Sequence, residues 1–403
     1  MEFRDMEFIP MLFGGDINTY SVARAFYEEY KVKSYVFGKF ATGPSYGSRI
    51  TVYTANQKID TDEVFLETVE KFCKEHKDKK VLTIGCGDSY VALISKHKNE
   101  LPENAVAPYI DFELMNSLQQ KELFYKLCEK HGIDYPGTLV YRDGDTLPEK
   151  LPFIFPVILK PSNGINYWEH EFPTQEKVYT ISDRAELIKV INDIYGAGYE
   201  DSLIIQDMIP GNDEFMRVLT SYSDHEGKVR MMCLGHVLLE EHTPHGKGNH
   251  AVIITEPQEE LMKKVKNLLE DLHYIGFSNF DIKYDSRDGK YKFFEINTRQ
   301  GRSNFYVTGS GLNVARYFVE EYIYGRSLPF TMAKREHLWL VVPKPVAKKY
   351  VKDPENKKKL KKLLKEGRFV NPVFMKGDLK LHRTLRMLKQ HVSHYKKYKQ
   401  YYN

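Results

Sequence analysis

The stretch from residue 277 to residue 297 constrains this chain more than any other. It reads Phe277-Ser278-Asn279-Phe280-Asp281-Ile282-Lys283-Tyr284-Asp285, then a polar turn holding Asp288-Gly289, then Tyr291-Lys292-Phe293-Phe294-Glu295-Ile296-Asn297. Two runs rich in aromatic and β-branched residues around an Asp-Gly pair predict a β-hairpin. Asp281 and Glu295 each stand seven residues from Asp288, so pairing centred there sets them opposite one another. Period two then puts Asn297 on the same face as Glu295. Directly opposed acids repel across a strand pair. A solvated face would tolerate them, and a divalent cation between them would remove the conflict. Two carboxylates and an amide oxygen, with positions left for water and phosphate, form a set that suits Mg²⁺.

The rest of the chain is organised in segments. At 403 residues it exceeds a single ordinary core, which predicts two or three domains. An apolar fraction of 42% with 13% aromatics excludes a disordered chain. The start, MEFRDMEFIP, has neither the basic nor the apolar region of a secretory signal. No apolar run approaches the roughly 18 residues that a membrane span needs. Cys73, Cys86, Cys128 and Cys233 are widely spaced and read as reduced thiols of a cytoplasmic protein.

Residues 1–110 alternate strands and helices. The run Phe8–Phe13 ends at Gly14-Gly15, and a helix follows with Val22, Ala23, Phe26 and Tyr30 at helical spacing. Lys80–Ile84, the turn Gly85-Cys86-Gly87-Asp88 and a further helix repeat the pattern. Such units predict a Rossmann-like parallel sheet. From 111 the texture becomes α+β, with one amphipathic helix expected over 113–131 and strands near 137–141, 155–160, 203–207, 217–223 and 229–236. Residues 111–330 are expected to form a two-lobed domain, 111–205 the smaller lobe and 206–330 the larger. Residues 331–403 hold 21 Lys+Arg and 5 Asp+Glu, a net of +16, while 1–330 hold 38 and 50, a net of −12. That contrast marks a basic C-terminal appendage.

Several further residues matter if the hairpin binds metal. Lys160 ends an apolar strand, where a lysine is ordinarily solvated. Leu203-Ile204-Ile205-Gln206-Asp207-Met208-Ile209-Pro210-Gly211 reads as a strand leaving into exposed backbone, which also describes a common strand exit. Gly85-Cys86-Gly87 lacks the third glycine of a dinucleotide fingerprint, and there is no Walker A sequence. His236, His242, His245 and His250 fit no zinc spacing and read as loop residues near a site.

Phe-Asp-Ile-Lys followed by Phe-Glu-Ile-Asn-Thr-Arg resembles the metal-binding end of the ATP-grasp superfamily. The resemblance implies ATP as co-substrate, with Asp281, Glu295 and Asn297 holding Mg²⁺ or Mn²⁺. It implies Arg299 and Lys160 as catalytic cations, with Lys121 and Lys160 on the phosphates. Gln206, Asp207 and Ile209 would receive adenine, and Asp213 the ribose hydroxyls. Residues 1–110 become a pre-ATP-grasp domain. The loop Ser162–Trp168, with one glycine, departs from the glycine-rich lid of many members, and side chains such as Ser162 and Asn163 would have to serve there instead.

The segments Phe8-Ile9-Pro10, Gly15–Arg24, Ile84–Asp88, Tyr109-Ile110-Asp111, Met231–His236 and Asn297–Ser303 resemble more narrowly the D-aspartate ligases of Gram-positive cell-wall synthesis. The implied reaction joins an amino-acid carboxylate, through an acyl phosphate, to the lysine amine of a peptidoglycan precursor. Position suggests Asp16, Asn18, Arg302 and Ser303 for the amino acid. A ligase for another amino acid or dipeptide, a biotin-carboxylase-like enzyme, and a nucleotide-binding module without turnover are the alternatives. The basic tail suggests peripheral binding to the anionic inner membrane face, in preference to nucleic acid.

Overall fold

The computed structural model describes residues 1–402 apart from 163, 177 and 245, and without the side chains of 164 and 165. It contains two compact units: Met1–Met115, Asn212–Asp281 and Ile296–Asn403 form the first, and Asn116–Gly211 with Ile282–Glu295 the second.

The first unit begins with a five-stranded parallel sheet in the order Thr51–Ala55, Ser34–Gly38, Phe8–Phe13, Lys80–Gly85, Ala105–Val106. Every residue of Phe8–Phe13 is buried, as expected of a central strand covered on both faces. Helices Ile17–Tyr30, Asp62–Glu75 and Asp88–His97 supply the connections. The turn into the first helix requires Gly14: its φ is +143°, and a Cβ there would meet Thr19 Oγ1 at 2.4 Å. Asp16 then caps that helix, accepting from the backbone N–H of Asn18 and Thr19 at 3.0 and 3.3 Å.

The large sheet runs Lys290–Asn297, Gly276–Asp285, Met216–Ser223, Val229–Glu240, His250–Thr255, Leu338–Leu340, Phe369–Val370, with Thr331–Met332 pairing Val229–Glu240 at the side. Helix Glu259–Asp271 buries Leu261, Met262, Val265, Leu268 and Leu269, a single helical face. The hairpin turn at 286–289 is as read from the sequence: Gly289 has φ +72° and Lys290 N–H donates to Asp288 Oδ1 at 3.0 Å.

The second unit is a four-stranded antiparallel sheet, Thr138–Tyr141, Leu203–Asp207, Val157–Pro161, Tyr179–Ile181, over a core of Val157, Leu159, Tyr167, Leu187, Ile191, Ile194 and Ile205. The helix expected over 113–131 is in fact two, Phe112–Gln119 and Lys121–Lys130. Gln120 takes an extended conformation (φ −76°, ψ 114°) and starts the second.

The basic segment after 330 is woven into the first unit. Three of its short strands extend the large sheet, and Trp339 is wholly buried. Asp378 is buried and accepts from Tyr20 Oη at 2.6 Å, Ser48 Oγ at 2.7 Å and Arg49 N–H at 2.6 Å. Arg383, 1% exposed, donates to the carbonyls of Pro44, Asp378 and Val373 at 2.7–3.0 Å and lies 4.4 Å over the Tyr20 ring. The change of charge at 330 is therefore a change of surface, while the apolar residues of the segment enter the same core. No helix among the described residues is long and apolar enough to cross a membrane.

Candidate active site

Strands Phe8–Phe13 and Lys80–Gly85 are neighbours from which the chain winds to opposite sides, and ligand crevices form outside the carboxyl ends of such strands. The loops 14–16 and 86–88 lie there, and the segment after the hairpin is fastened onto them. Arg299 grips Asp88 with two parallel bonds, Nε to Oδ1 at 2.6 Å and Nη2 to Oδ2 at 2.9 Å. Gln300 Nε2 donates to Gly85 O at 3.0 Å. Asn18 donates to the carbonyls of Cys86 and Gln300 at 2.9 and 3.3 Å and accepts from Asn304 at 2.6 Å. Its amide is thus committed to holding the three segments together.

From Arg299 the network continues to the hairpin. Arg299 Nη2 donates to Asn297 Oδ1 at 3.4 Å, and Asn297 Nδ2 donates to Asp281 Oδ2 at 3.3 Å and to Asn279 O at 3.5 Å. Asp281, Asn297, Arg299 and Asp88 are one chain of contacts. Among the described residues no three His, Cys, Asp or Glu side chains stand together as a ready-made metal cage. Mg²⁺ rarely uses such cages; it takes one or two carboxylates and completes its shell with water and phosphate. The hard oxygen donors of Asp281 and Asn297 suit that ion, and Glu295 of the second unit offers a carboxylate of the same kind.

Beside this network is a cavity of ≈ 320 Å³. Asp16, Glu241 and Arg302 give it charge, and Gln390, His391 and His394 come from the C-terminal helix Leu381–Tyr401. Asp16 is enclosed by protein yet keeps accessible surface because it faces the cavity. Enclosure pushes its carboxyl above the usual range, against the pull of the Thr19 N–H, the Arg302 guanidinium and the Asn18 N–H. Arg302 is loosely held, 3.7 Å from Glu241 and 3.5 Å from His250 O, so its fork remains available to a carboxylate. His394 is 8% exposed with Nδ1 unpartnered, and burial lowers its imidazole to about 4. Ser303 is buried, its Oγ 3.4 Å from His250 Nδ1.

The second unit gathers the expected phosphate cations. Lys121 Nζ is 3.6 Å from Glu295 Oε2. Lys160 sits near both, with Nζ 5.9 Å from the centre of the Phe294 ring. Burial, reinforced by the like charge of Lys121 and opposed by Glu295, lowers Lys160 to about 7. Gln206 is 2% exposed, and its Nε2 donates to Tyr125 Oη and Thr138 Oγ1, both at 2.8 Å. Only its carbonyl oxygen is left for a ligand. Arg287 forks the Asp207 carboxylate and the Asp207 N–H donates to Gly137 O at 2.9 Å, which leaves that residue's backbone carbonyl as its usable group, and Ile209 is buried. In the first unit Asp213 Oδ2 accepts from Glu240 N–H and His242 Nε2, both at 2.9 Å. His236 is held by Glu256 and Glu214, so the loop histidines have separate partners. His245 lies outside the described residues, as does Asn163 of the expected lid, while Ser162 Oγ accepts from Ser202 at 3.0 Å.

Sequence reading passed over Asp88, Tyr125, Glu241, Gln390, His391 and His394. Asp88 had a signal, an acid at a Gly-Cys-Gly turn that opens a helix. The others are brought in from distant sequence by packing.

No family model matches the chain. Its fold is that of N5-carboxyaminoimidazole ribonucleotide synthetase from Staphylococcus aureus, with TM-score 0.58, 14% identity, and 86% of this chain and 85% of that one covered. The biotin carboxylase domain of Hydrogenobacter thermophilus 2-oxoglutarate carboxylase is similarly alike, with TM-score 0.56, 13% identity and coverage of 83% and 73%. Together with the sequence match that follows, this fold makes the chain an ATP-grasp enzyme, an ATP-dependent carboxylate–amine ligase. Over 409 residues the chain is 41% identical to the D-aspartate ligase of Enterococcus faecium, covering 98% of this chain and 97% of that protein. The chain belongs to the D-aspartate ligase family.

Proposed function

We propose that this enzyme activates the side-chain carboxylate of D-aspartate with ATP and transfers it to the side-chain amine of lysine in a peptidoglycan precursor. The observation that carries the reading is the 41% identity, held across nearly the whole of both chains. A carboxylate oxygen attacks the γ-phosphorus and ADP leaves; the amine then attacks the acyl carbon, phosphate leaves, and the amine gives up a proton. Both reactants of the first step are anions, so the site must supply fixed positive charge before they meet. Lys160 and Lys121 serve the phosphates, and Arg299, aimed by Asp88, serves the acyl phosphate. Asp281, Glu295 and Asn297 would hold Mg²⁺ or Mn²⁺, which when bound offsets phosphate charge and orients the γ-phosphoryl group.

The nucleotide base is read by the backbone of Asp207 and Ile209 and by the one unspent oxygen of Gln206, which suits an amino donor. Asp213 takes the ribose hydroxyls with the carboxylate oxygen its own partners leave. The cavity suits an amino-acid zwitterion: Arg302 for a carboxylate, Asp16 or Glu241 for the ammonium. Asn18 and Ser303 act by holding those walls. Such substrates place the enzyme in the cytoplasm, with its basic segment 331–403 against the anionic inner membrane face.

The test is phosphate release with ATP, Mg²⁺ and a panel of D- and L-amino acids, bicarbonate and lysine-containing muropeptides. D-aspartate should support the fastest release, coupled to amide formation with the muropeptide. Equal or faster release with L-aspartate, another amino acid or bicarbonate would refute the substrate while leaving a ligase.

A further inference from the structure

The C-terminal helix presents two unlike faces. Arg383, Met387, His394 and Tyr398 are buried in the first unit. On the outer side Leu381, Leu385, Leu388, Val392 and Tyr395 are 70%, 56%, 43%, 57% and 46% exposed. Their spacing of four, three, four and three residues collects them into one stripe about 80° wide and about 21 Å long at the helical 100° and 1.5 Å per residue. Apolar side chains set singly on a surface need no explanation, whereas five in one unbroken row do. Beside the stripe stand His382, Lys389 and Lys396. Residues 380–402 carry seven Lys and Arg and no Asp or Glu.

Charge decides what covers the row. A second copy of this helix would match the spacing, since apolar residues at alternating threes and fours build coiled coils. Such pairs need opposite charges along their flanks, and this helix has no acid to answer its own lysines. An anionic lipid surface answers both features. The stripe enters the headgroup and upper acyl layer while the flanking ammonium groups meet phosphate or carboxylate headgroups.

We infer that the helix Leu381–Tyr401 is an in-plane membrane anchor, seated through Leu381, Leu385, Leu388, Val392 and Tyr395 on an anionic bilayer. This rests on the membrane reading of the basic segment given above and assigns it a specific face. Arg386 belongs to the fold rather than to the lipid face, because its Nη2 donates to Gly43 O and Tyr46 O at 3.0 and 2.6 Å.

The test uses the full chain with vesicles of phosphatidylglycerol and phosphatidylcholine, or of phosphatidylcholine alone, at low and raised salt. The triple variant Leu385→Glu, Leu388→Glu, Val392→Glu should lose at least about tenfold in cosedimentation with the anionic vesicles. A second variant, Lys389→Gln with Lys396→Gln, should weaken binding at low salt and flatten its salt dependence. Both should keep the wild-type melting temperature and the wild-type phosphate release with a soluble acceptor, because these side chains point away from the core and the cavity. Salt-dependent binding that the glutamate variant retains in full would overturn the stripe and leave a purely electrostatic contact. Failure of the wild type to bind any vesicle would overturn the anchor and the membrane reading together. A wild-type dimer in sedimentation velocity that the glutamate variant dissolves would assign the stripe to a second copy instead. Because D-aspartate-dependent turnover is read on the same preparations, failure of the anchor is separable from failure of the substrate reading.

Discussion

Lys160 is the residue through which pH tests the nucleotide site. In the free protein its ammonium is lowered to about 7, first by burial and then by Lys121. On the proposed assignment, a phosphate group arriving beside Lys160 favours the charged form, so nucleotide binding would draw a proton onto it. The sign follows directly. Affinity is full below the free-state value and is lost as pH rises through it, until the value in the complex is reached. If the complex restores an ordinary lysine, the affinity for ADP falls by about 50-fold, or about 2 kcal/mol, between about pH 7 and about pH 9. Phosphate monoesters ionise near about pH 6, so the nucleotide contributes little over that range. Calorimetry in buffers of different ionisation heat should show uptake approaching one proton per ADP bound near the upper end.

The variants separate this from a general loss of affinity at high pH. Lys160→Arg keeps its charge throughout and should bind with a flat profile. Lys160→Met should bind weakly, again with a flat profile. A wild-type affinity unchanged between about pH 7 and about pH 9, with no proton taken up, would refute both the lowered lysine and its contact with phosphate. The same depression opposes folding while the lysine is charged. That penalty is present below about pH 7 and relieved as pH rises toward the unfolded value of about 10.4, so the free protein should gain stability over the range in which the complex weakens.

Other expectations follow from the same geometry. Glu295→Gln keeps the shape of the hairpin but removes a charge from the proposed cation site; phosphate release should fall by at least about 100-fold while ADP binding partly survives. Arg302→Lys loses the planar fork at the cavity, and steady-state kinetics should show KM for the amino acid rising about tenfold with KM for ATP nearly unchanged. Asp378→Ala removes the carboxylate that lies 3.6 Å from the buried Arg383 and accepts from three other donors, and denaturant unfolding should show a loss of about 3–5 kcal/mol.

The fold was legible where pattern and chemistry coincide locally. Phe8–Phe13 and Lys80–Gly85 announce parallel strands because each is a short apolar run ended by glycine, and Asp288-Gly289 fixes a hairpin turn by backbone preference alone. Part of the hairpin network was legible in the same way: period two sets Asp281 and Asn297 within reach of one another, and Arg299 follows two residues on. Long-range partners left no such trace. Asp88 reaches Arg299 across 211 residues and Asp378 reaches Tyr20 across 358, distances that no local rule bridges. The break at Gln120 escaped for a different reason. Leu114, Leu118, Leu123, Phe124 and Leu127 suit one continuous amphipathic helix, and glutamine is no helix breaker, so nothing local marks the kink.

The C-terminal segment shows why charge alone misleads about architecture. A net of +16 over 331–403 suggests a detachable tail, and deletion would then be the natural test of its role. The packing argues against deletion. The helix that exposes Leu385, Leu388 and Val392 also lines the cavity with Met387, Gln390, His391 and His394, and Arg383 anchors it in the carbonyls of residues 44, 373 and 378. Removing it would strip one wall from the cavity and leave Asp378 buried without its cation, so activity and stability would fall whatever the outer face does. Substitution of outward side chains alone changes the surface while leaving the wall in place. Only such variants can tell a membrane-facing role from a role in shaping the site, and the two faces of this one helix make the distinction measurable.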